Sequence, residues 1–272
     1  MSVGSSLPSL IEDSETRERR SGRWSSAGVR GAARRLFNAV AAVFGLVVLA
    51  IPFVLIVVAI KATSRGPVFF RQLRVGRGGR LFRIYKFRTT FESGSSEQGT
   101  GIGAPASVTS LGSFLRETKI DELPQLINVL IGNMNLVGPR PELPEFVAMY
   151  SASDRSIVLS VEPGLTDFAS IRFRNESLLL STPEDPLAYY QRVVMPAKLR
   201  YCRFYVRRTS LGLDLYLIGL TILALGEDFL VWITSPSVGT ARLTTRFRTR
   251  FRGPLGRLRH SSTARRDRID PN

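Results

Sequence analysis

Two neighbouring carboxylates, Asp121 and Glu122, lie in the segment "LRETKIDELPQLINVLIGNMNLVGPRPELPEF" between Arg116 and Arg140. Adjacent carboxylates repel each other, and they keep their charges only where a cation such as Mg²⁺ or a guanidinium group compensates them. A helix N-terminus beside guanidinium groups also favours a diphosphate. An aspartate placed there can attack phosphorus while the glutamate holds a metal ion. The segment therefore predicts a site for covalent phosphoryl transfer.

The same residues also fit a structural interpretation, in which Asp121 caps a helix over Asp121–Ile131. The aspartate oxygen would accept from N–H groups of the first turn, and Glu122 would favour the positive end of the helix dipole. Pro124 in that turn costs no helical hydrogen bond. The fragment by itself favours this cap. The flanking arginines and the apolar segment described below favour the phosphate and metal site.

The composition limits which classes of partner and which types of reactive side chain the sequence predicts. Among 272 residues, 38 are basic and 22 acidic, and the net charge of +16 predicts an anionic partner: nucleic acid, an anionic membrane surface or a phosphorylated ligand. The single cysteine, Cys202, excludes an internal disulfide. The single histidine, His260, lies in a basic hydrophilic tail. We therefore expect a nucleophile or general base to be a carboxylate.

An uncharged segment as long as a membrane helix lies near the N-terminus. No charged residue occurs between Arg35 and Lys61, and a bilayer requires about 20 apolar residues. Basic residues flank the segment on both sides, and positive charge marks the cytoplasmic side of a membrane. We therefore favour a re-entrant hairpin over a straight span. Pro52, which removes a backbone N–H near the centre, is the predicted break.

The remaining patterns predict an α+β fold. The run "GPVFFRQLRVGRGGRLFRIYKFRTT" is typical of a β-hairpin around a glycine-rich turn. Apolar spacing predicts short helices over 111–118 and 121–131, the second ended by Gly132. Later patterns indicate a helix over 142–150, a turn followed by a strand in 163–175, a helical region over 186–206 and an amphipathic helix around 215–225. That last helix is expected to lie on the membrane or to pack in the core.

The predicted architecture is a membrane-anchored monotopic domain. It has an N-terminal re-entrant helix hairpin, a β-hairpin, and short helices around the active site, some of them on the membrane surface. The predicted segments are a disordered basic leader (1–33), a re-entrant membrane helix (34–62), a catalytic domain at the cytoplasmic membrane face (63–235) and a disordered arginine-rich tail (236–272).

A longer stretch resembles a known family. The string "FLRETKIDELPQLINVLIGNMNLVGPRP" closely resembles the signature of the bacterial sugar transferases, the monotopic polyprenyl-phosphate phosphoglycosyl transferases. The resemblance includes the apolar anchor with its central proline, the hairpin run and "PGLTDFASIRFRNE", and it covers roughly residues 34–225. The Asp-Glu-Leu-Pro-Gln and Gly-Pro-Arg-Pro elements at this separation are highly specific.

The resemblance implies a reaction and a location. The family transfers a sugar 1-phosphate from a nucleotide diphosphosugar, here favoured to be a UDP-sugar, to polyprenyl phosphate and releases a nucleoside monophosphate. This is the first membrane step of polysaccharide or glycoconjugate biosynthesis, at the cytoplasmic face of the bacterial inner membrane. By resemblance, Asp121 forms a phospho-sugar adduct and Glu122 helps to bind Mg²⁺. The basic residues that match the family's phosphate contacts are Lys86, Arg116, Arg140 and Arg174.

The chain departs from the family pattern at three places. Ile51 precedes Pro52 where the family has serine, Thr90 follows "KFRT" where methionine is usual, and "DFASIRFRN" replaces the commoner "GWAQVNGRN". The single apolar segment upstream indicates the short form of the family. A second interpretation, a non-catalytic membrane adaptor for polysaccharide assembly, remains open. The basic tail adds anionic lipids to the expected partners, an oligomer is compatible with the sequence, and nucleic acid is not expected, because no recognised nucleic-acid motif occurs.

Overall fold

The computed structural model describes residues 26–91, 108–174, 176, 180 and 185–234. The predicted tail (236–272) and most of the predicted leader (1–33) lie outside these residues. The first helix begins at Ser26, inside the range predicted as leader. Within the described part the chain is mixed helix and sheet with a small antiparallel hairpin, as the sequence predicts.

Two consecutive helices form the N-terminal apolar segment, α1 (Ser26–Val48) and α2 (Ala50–Thr63). They are interrupted at Leu49, where the Val48 carbonyl would need an N–H from Pro52. The interruption thus falls one turn before the proline, as the missing donor requires. Among the described residues, α1 is the one helix long and apolar enough to cross a membrane by length and composition.

The predicted hairpin is confirmed. Strands β1 (Phe69–Val75) and β2 (Leu81–Phe87) pair antiparallel, from Phe69 opposite Phe87 to Val75 opposite Leu81. A 3₁₀ turn over Arg77–Gly79 joins them, with Gly78 at φ 65° and Gly79 at φ 85°. Glycine occupies both positions because positive φ strains other residues.

The segment with the carboxylate pair differs from the single helix that the sequence predicts. Helix α3 (Ser110–Glu117) is followed by a 3₁₀ turn over Ile120–Glu122, and α4 (Gln125–Ile131) begins only after Pro124. Asp121 therefore lies in the 3₁₀ turn and does not occupy the N-cap of α4. Gly132, at φ 95°, ends α4 as predicted.

A second, parallel pair of strands holds the loop that carries Arg140. Strand β3 (Asn135–Val137) pairs with β4 (Gly164–Thr166). No sequence pattern indicates β3, and β4 occupies the start of the region 163–175, where the sequence predicts a turn before a strand. The backbones approach so closely beyond β3 that a Cβ on Gly164 would lie 2.0 Å from the Gly138 nitrogen. After β4 the chain forms helix α7 (Phe168–Arg172) and not the predicted strand, because Asp167 caps it by accepting from the Ser170 N–H at 2.6 Å.

The remaining helices surround this centre. They are α5 (Pro144–Ala148), α6 (Ala152–Val158), α8 (Pro186–Tyr189), a π-helical turn (Tyr190–Val194), α9 (Met195–Arg208) and α10 (Leu211–Thr234). Helix α10 is longer than the predicted amphipathic run and packs one face inward, where Leu217 contacts Val137 and Tyr205. Its opposite face exposes large apolar side chains such as Leu223, which is 67% exposed.

Both N-terminal helices pack on the body that contains the carboxylate pair. From α1, Ala42 packs with Ile84 of β2 and Val129 of α4, and from α2, Ile60 packs with Phe87 and Leu115. The outward sides of the two helices remain apolar and open, with Phe44 69% exposed and Ile51 75% exposed. Strand β2 is thus fixed from two sides, close to the point where it carries Lys86.

Candidate active site

The carboxylate pair is held in a tight turn between two helices. Asp121 is buried, at 8% exposure, and its Oδ1 atom has no hydrogen-bond partner among the described residues. A capping aspartate would accept from N–H groups of the first helical turn, so the structural interpretation of Asp121 as a helix cap is wrong. A buried polar atom without a partner is costly and requires an explanation.

Glu122, the next residue, is bound by two cations from distant parts of the chain. Lys86 Nζ donates to Glu122 Oε1 at 2.8 Å, and Arg140 Nη1 donates to Oε2 at 2.8 Å. A second, shorter contact joins Arg140 Nη2 to Oε1. Arg140 and Glu122 thus form a bidentate ion pair, and the Lys86 ammonium group donates to the same carboxylate.

The positions of both cations follow from the strands. Lys86 lies on β2 opposite Phe70, in the part of the hairpin fixed by α2. Arg140 lies three residues after β3, and its backbone N–H donates to Asp167 Oδ2 at 3.3 Å. Since the other oxygen of Asp167 caps α7, one buried aspartate orients both the Arg140 loop and the helix that follows β4.

The pKa values of the two carboxylates shift in opposite directions. Burial raises the pKa of Asp121, and Glu122 raises it further, although Lys86 opposes both effects. Burial alone would also raise the pKa of Glu122, but Arg140 and Lys86 outweigh it and hold that pKa well below its ordinary value. Burial lowers the pKa of Lys86. The site therefore contains one firmly ionised carboxylate beside one whose charge is poorly compensated.

A cavity of about 350 Å³ adjoins this pair. Glu122 and Arg140 line one side, and α10 supplies an apolar wall that includes Ile218, Ile222 and Leu225. Asp121 itself is not among the lining residues, although its neighbours Lys119 and Glu122 are. The cavity thus combines a charged side and an apolar side.

The predicted basic residues have different surroundings. Lys86 and Arg140 meet at Glu122, as described. Arg174 lines the same cavity, donates to the Ala224 carbonyl at 2.9 Å and pairs with Asp228 Oδ1 at 2.9 Å, both on α10. The Arg116 side chain is exposed, and its Nε donates to Thr89 Oγ1 at 2.7 Å, so its contact is with the end of the hairpin and not with Glu122.

Several functional candidates did not emerge from the sequence. Lys198 lines the cavity and pairs with Glu142 at 2.7 Å and with Glu176 at 3.2 Å. Glu142 follows Arg140 in the "GPRPE" string, which is the one signal that could have indicated it. Lys119 also lines the cavity and has an unusual backbone conformation, with φ 60°. No local pattern indicates Lys198 or Lys119.

The donor set suits a magnesium ion better than a metal with many protein ligands. Within residues 26–91, 108–174 and 185–234, no three His, Cys, Asp or Glu side chains are grouped to hold a metal. Mg²⁺ needs fewer, because it keeps several waters and usually takes one or two carboxylates plus substrate phosphates. The partnerless Asp121 Oδ1 and the Glu122 carboxylate fit that requirement. An ion at Glu122 would share the carboxylate with Lys86 and Arg140 or displace one of them.

One carboxylate of the pair, cationic side chains and an apolar wall line one cavity, and this combination suits a phosphorylated ligand with an apolar part. Comparison with known sequences assigns the family. The chain belongs to the bacterial sugar transferase family, whose sequence model matches residues 29–228. This confirms the resemblance found in the signature string.

The relatives include two proteins named UDP-glucose:undecaprenyl-phosphate glucose-1-phosphate transferase. The Xanthomonas campestris pv. campestris protein is 37% identical over 196 residues, which cover 70% of this chain and 38% of the relative. The Klebsiella pneumoniae protein is 33% identical over 199 residues, covering 72% and 40%. The chain therefore spans about two fifths of the length of these relatives. The exopolysaccharide production protein ExoY of Rhizobium meliloti is 32% identical over 210 residues, covering 71% of this chain and 85% of that protein.

Proposed function

We propose that the protein is a phosphoglycosyl transferase. It moves a sugar 1-phosphate from a nucleotide diphosphosugar, of the UDP-sugar class named for the relatives, to polyprenyl phosphate. The products are a polyprenyl diphosphate-sugar and a nucleoside monophosphate. The observation that carries the proposal is Asp121, a buried carboxylate with a partnerless oxygen, next to a glutamate held by Lys86 and Arg140.

The reaction takes place in two half-reactions. An oxygen of Asp121 attacks the phosphorus that bears the sugar, and the bond from that phosphorus to the oxygen of the leaving nucleoside monophosphate breaks. An oxygen of polyprenyl phosphate then attacks the same phosphorus, and the Asp121 carboxylate is released. Lys86 and Arg140, which meet at Glu122, offset charge on the phosphoryl oxygens, and Arg174, which lines the same cavity, contributes to this. Glu122 would hold Mg²⁺, which supplies positive charge against the leaving phosphate when bound.

The apolar wall of α10 supports the lipid part of the proposal. Ile218, Ile222 and Leu225 line the cavity next to Glu122 and Arg140. A polyprenyl phosphate requires such a site, because its phosphate must reach the carboxylates while its isoprene units stay out of water.

The packing of α1 and α2 supports a re-entrant anchor, and the basic residues on both flanks favour the cytoplasmic side of the inner membrane. Arg34, near the start of the apolar segment, donates to the Val137 carbonyl at 3.1 Å, and Ser64, just after it, accepts from Arg88 at 2.7 Å. Both ends are thus bonded to one body. A straight helix of 30 residues would separate these ends by about 45 Å, across a hydrocarbon core of about 30 Å.

The topology is tested by cysteine labelling in intact cells. After Cys202→Ala, cysteines at Ser25 and at Ser64 are both expected to resist a membrane-impermeant thiol reagent added from outside. Labelling of the Ser25→Cys variant alone would establish a straight span and refute the re-entrant anchor.

The chemistry is tested by mass spectrometry of the whole protein after rapid quenching. Incubation with a UDP-sugar and no lipid acceptor is expected to add one sugar-phosphate to Asp121 and to release UMP. The Asp121→Asn variant is expected to do neither, because an amide is a far poorer nucleophile. Turnover by Asp121→Asn at a comparable rate, with no adduct on the wild type, would refute the covalent reaction. Absence of UMP release with acceptor present would favour the adaptor interpretation.

A further inference from the structure

Four cationic side chains line the cavity beside the carboxylate pair, and they differ in their partners. Arg140 is paired with Glu122, Arg174 with Asp228, and Lys198 with Glu142 and Glu176. The fourth is Lys119. In the described part of the chain its ammonium group has no hydrogen bond and no ion pair to a carboxylate.

This difference decides which cation can accept a new anion. An anion that approaches Arg140, Arg174 or Lys198 has to compete with a carboxylate that is already in contact. Breaking such a pair leaves a buried carboxylate without compensation, which is costly. Lys119 can donate to an incoming phosphate and leave every existing pair intact.

The backbone of Lys119 provides an independent observation. Its φ of 60° makes it the only non-glycine residue with positive φ in the described part of the chain. The conformation itself has a structural reason, since Lys119 directly follows the C-cap of α3 and this position commonly adopts the left-handed form. Glycine or asparagine would satisfy that geometry with less strain. The end of α3 therefore explains why residue 119 has a positive φ, but it does not explain why this residue is a lysine.

The charge of Lys119 acts on two separate carboxylates. It opposes the burial effect at Asp121, and it does the same at Asp228 on α10. Its ammonium group thus lies in electrostatic reach of the carboxylate pair and of the Arg174–Asp228 pair. Only Ile120 separates Lys119 from Asp121.

We propose that Lys119 binds the diphosphate of the nucleotide diphosphosugar, at the cavity where Arg140 is already paired with Glu122. The inference rests on the proposed function for the identity of the ligand. Its physical basis is a cavity cation that has no carboxylate partner in the described part of the chain and lies on a strained backbone two residues before the reactive aspartate. The left-handed turn holds the lysine at the cavity, and the donor diphosphate supplies the missing counter-charge.

The test is calorimetric titration of the full-length, detergent-solubilised protein with UDP and, separately, with inorganic diphosphate. Lys119→Asn removes the charge but tolerates the left-handed backbone, and Lys119→Arg keeps the charge. Losing one charged contact to phosphate is expected to weaken binding about tenfold or more in Lys119→Asn. Lys119→Arg is expected to stay close to the wild type. Arg80→Asn, the same loss of charge at an exposed position of the hairpin, is the matched control and is expected to bind like the wild type.

Steady-state kinetics separate the two phosphate ligands. Lys119→Asn is expected to raise KM for the UDP-sugar and to leave KM for polyprenyl phosphate unchanged. A rise confined to polyprenyl phosphate would overturn the assignment to the donor. Equal UDP affinity of Lys119→Asn and the wild type, or no UDP binding by the wild type, would overturn the inference. If Lys119→Asn weakens UDP binding while the wild type transfers no sugar phosphate, the inference stands and the proposed function fails.

Discussion

Glu122 is expected to stabilise the fold strongly, in addition to any part in catalysis. The substitution Glu122→Gln keeps the shape of the side chain and removes its charge. The 2.8 Å contacts from Lys86 Nζ and Arg140 Nη1 would then join two cations to a neutral amide. The side chains of Lys86 and Arg140 are only 16% and 28% exposed, so water compensates them poorly.

The magnitude follows from the cost of a buried charge that loses its partner. Removing one member of a buried pair destabilises a protein by about 3–5 kcal/mol. We expect about 3 kcal/mol here, at the lower end, because Arg140 keeps some access to solvent and Lys86 can lose its proton. With about 2–4 °C per kcal/mol for a chain of this size, the melting temperature should fall by about 6–12 °C.

The pH dependence distinguishes this effect from a packing defect. The pKa of Glu122 is lower in the folded state than in the unfolded state, so its stabilisation is complete above the ordinary glutamate pKa. It is lost as the pH falls through the depressed folded-state pKa. The difference in unfolding free energy between wild type and Glu122→Gln should therefore be largest near pH 7 and shrink in acid, whereas a packing defect would persist.

The assay is denaturant unfolding of the full chain in detergent at several pH values. Glu117→Gln is the matched control, since this exposed glutamate at the end of α3 accepts from Ser113 Oγ at 3.0 Å and has no ion pair among the described residues. Its stability should stay within about 0.5 kcal/mol of the wild type. If Glu122→Gln were as stable as Glu117→Gln at pH 7, the argument that Lys86 and Arg140 depend on Glu122 would be refuted.

Three further predictions concern other parts of the chain. Asp121→Asn should abolish UMP release without lowering the melting temperature, because burial already disfavours the ionised carboxylate; a drop of several degrees would indicate that the carboxylate has a stabilising partner after all. Asp214→Asn should lower the free energy of unfolding by about 1–3 kcal/mol, because Asp214 Oδ2 pairs with Arg34 of α1 at 2.9 Å. Tyr205→Phe removes a hydroxyl 2.7 Å from Asp214 Oδ1 and should lower the free energy of unfolding by less, measured by denaturant unfolding as above. Deleting residues 240–272 should leave UMP release intact and weaken binding to anionic vesicles in low salt; equal vesicle binding at every salt concentration would require another role for the tail.

Structural features that depend on residues close together along the chain were predictable from the sequence. The β-hairpin followed from two runs of β-branched and aromatic residues around a glycine-rich turn, and Gly132 marked the end of α4. The interruption of the apolar helix followed from Pro52, because the missing N–H fixes which carbonyl loses its partner. The family also followed from the sequence, since its signature is a continuous string.

Sequence patterns predicted the wrong secondary structure at two places where the same residues are compatible with two backbone conformations. Asp121, Glu122 and Pro124 satisfy the rules for a helix start, yet the chain forms a 3₁₀ turn there and α4 begins later. The segment after β4 has the composition of a strand, yet Asp167 caps a short helix. In both places the packing of neighbouring elements decided between conformations that the sequence alone leaves close in energy.

The sequence by itself determined the types of the reactive groups: a pair of adjacent carboxylates within the family signature, an excess of arginine and an apolar segment with a proline. Tertiary structure alone decided their states. It brought Lys86 and Arg140 to Glu122 from 36 and 18 residues away and paired Arg174 with α10. Among the residues that the structure describes, it left Asp121 Oδ1 without a hydrogen-bond partner and Lys119 at the cavity without a carboxylate partner. The physical reason is that burial and ion pairing depend on which distant segments meet, whereas a sequence pattern reports only neighbours along the chain.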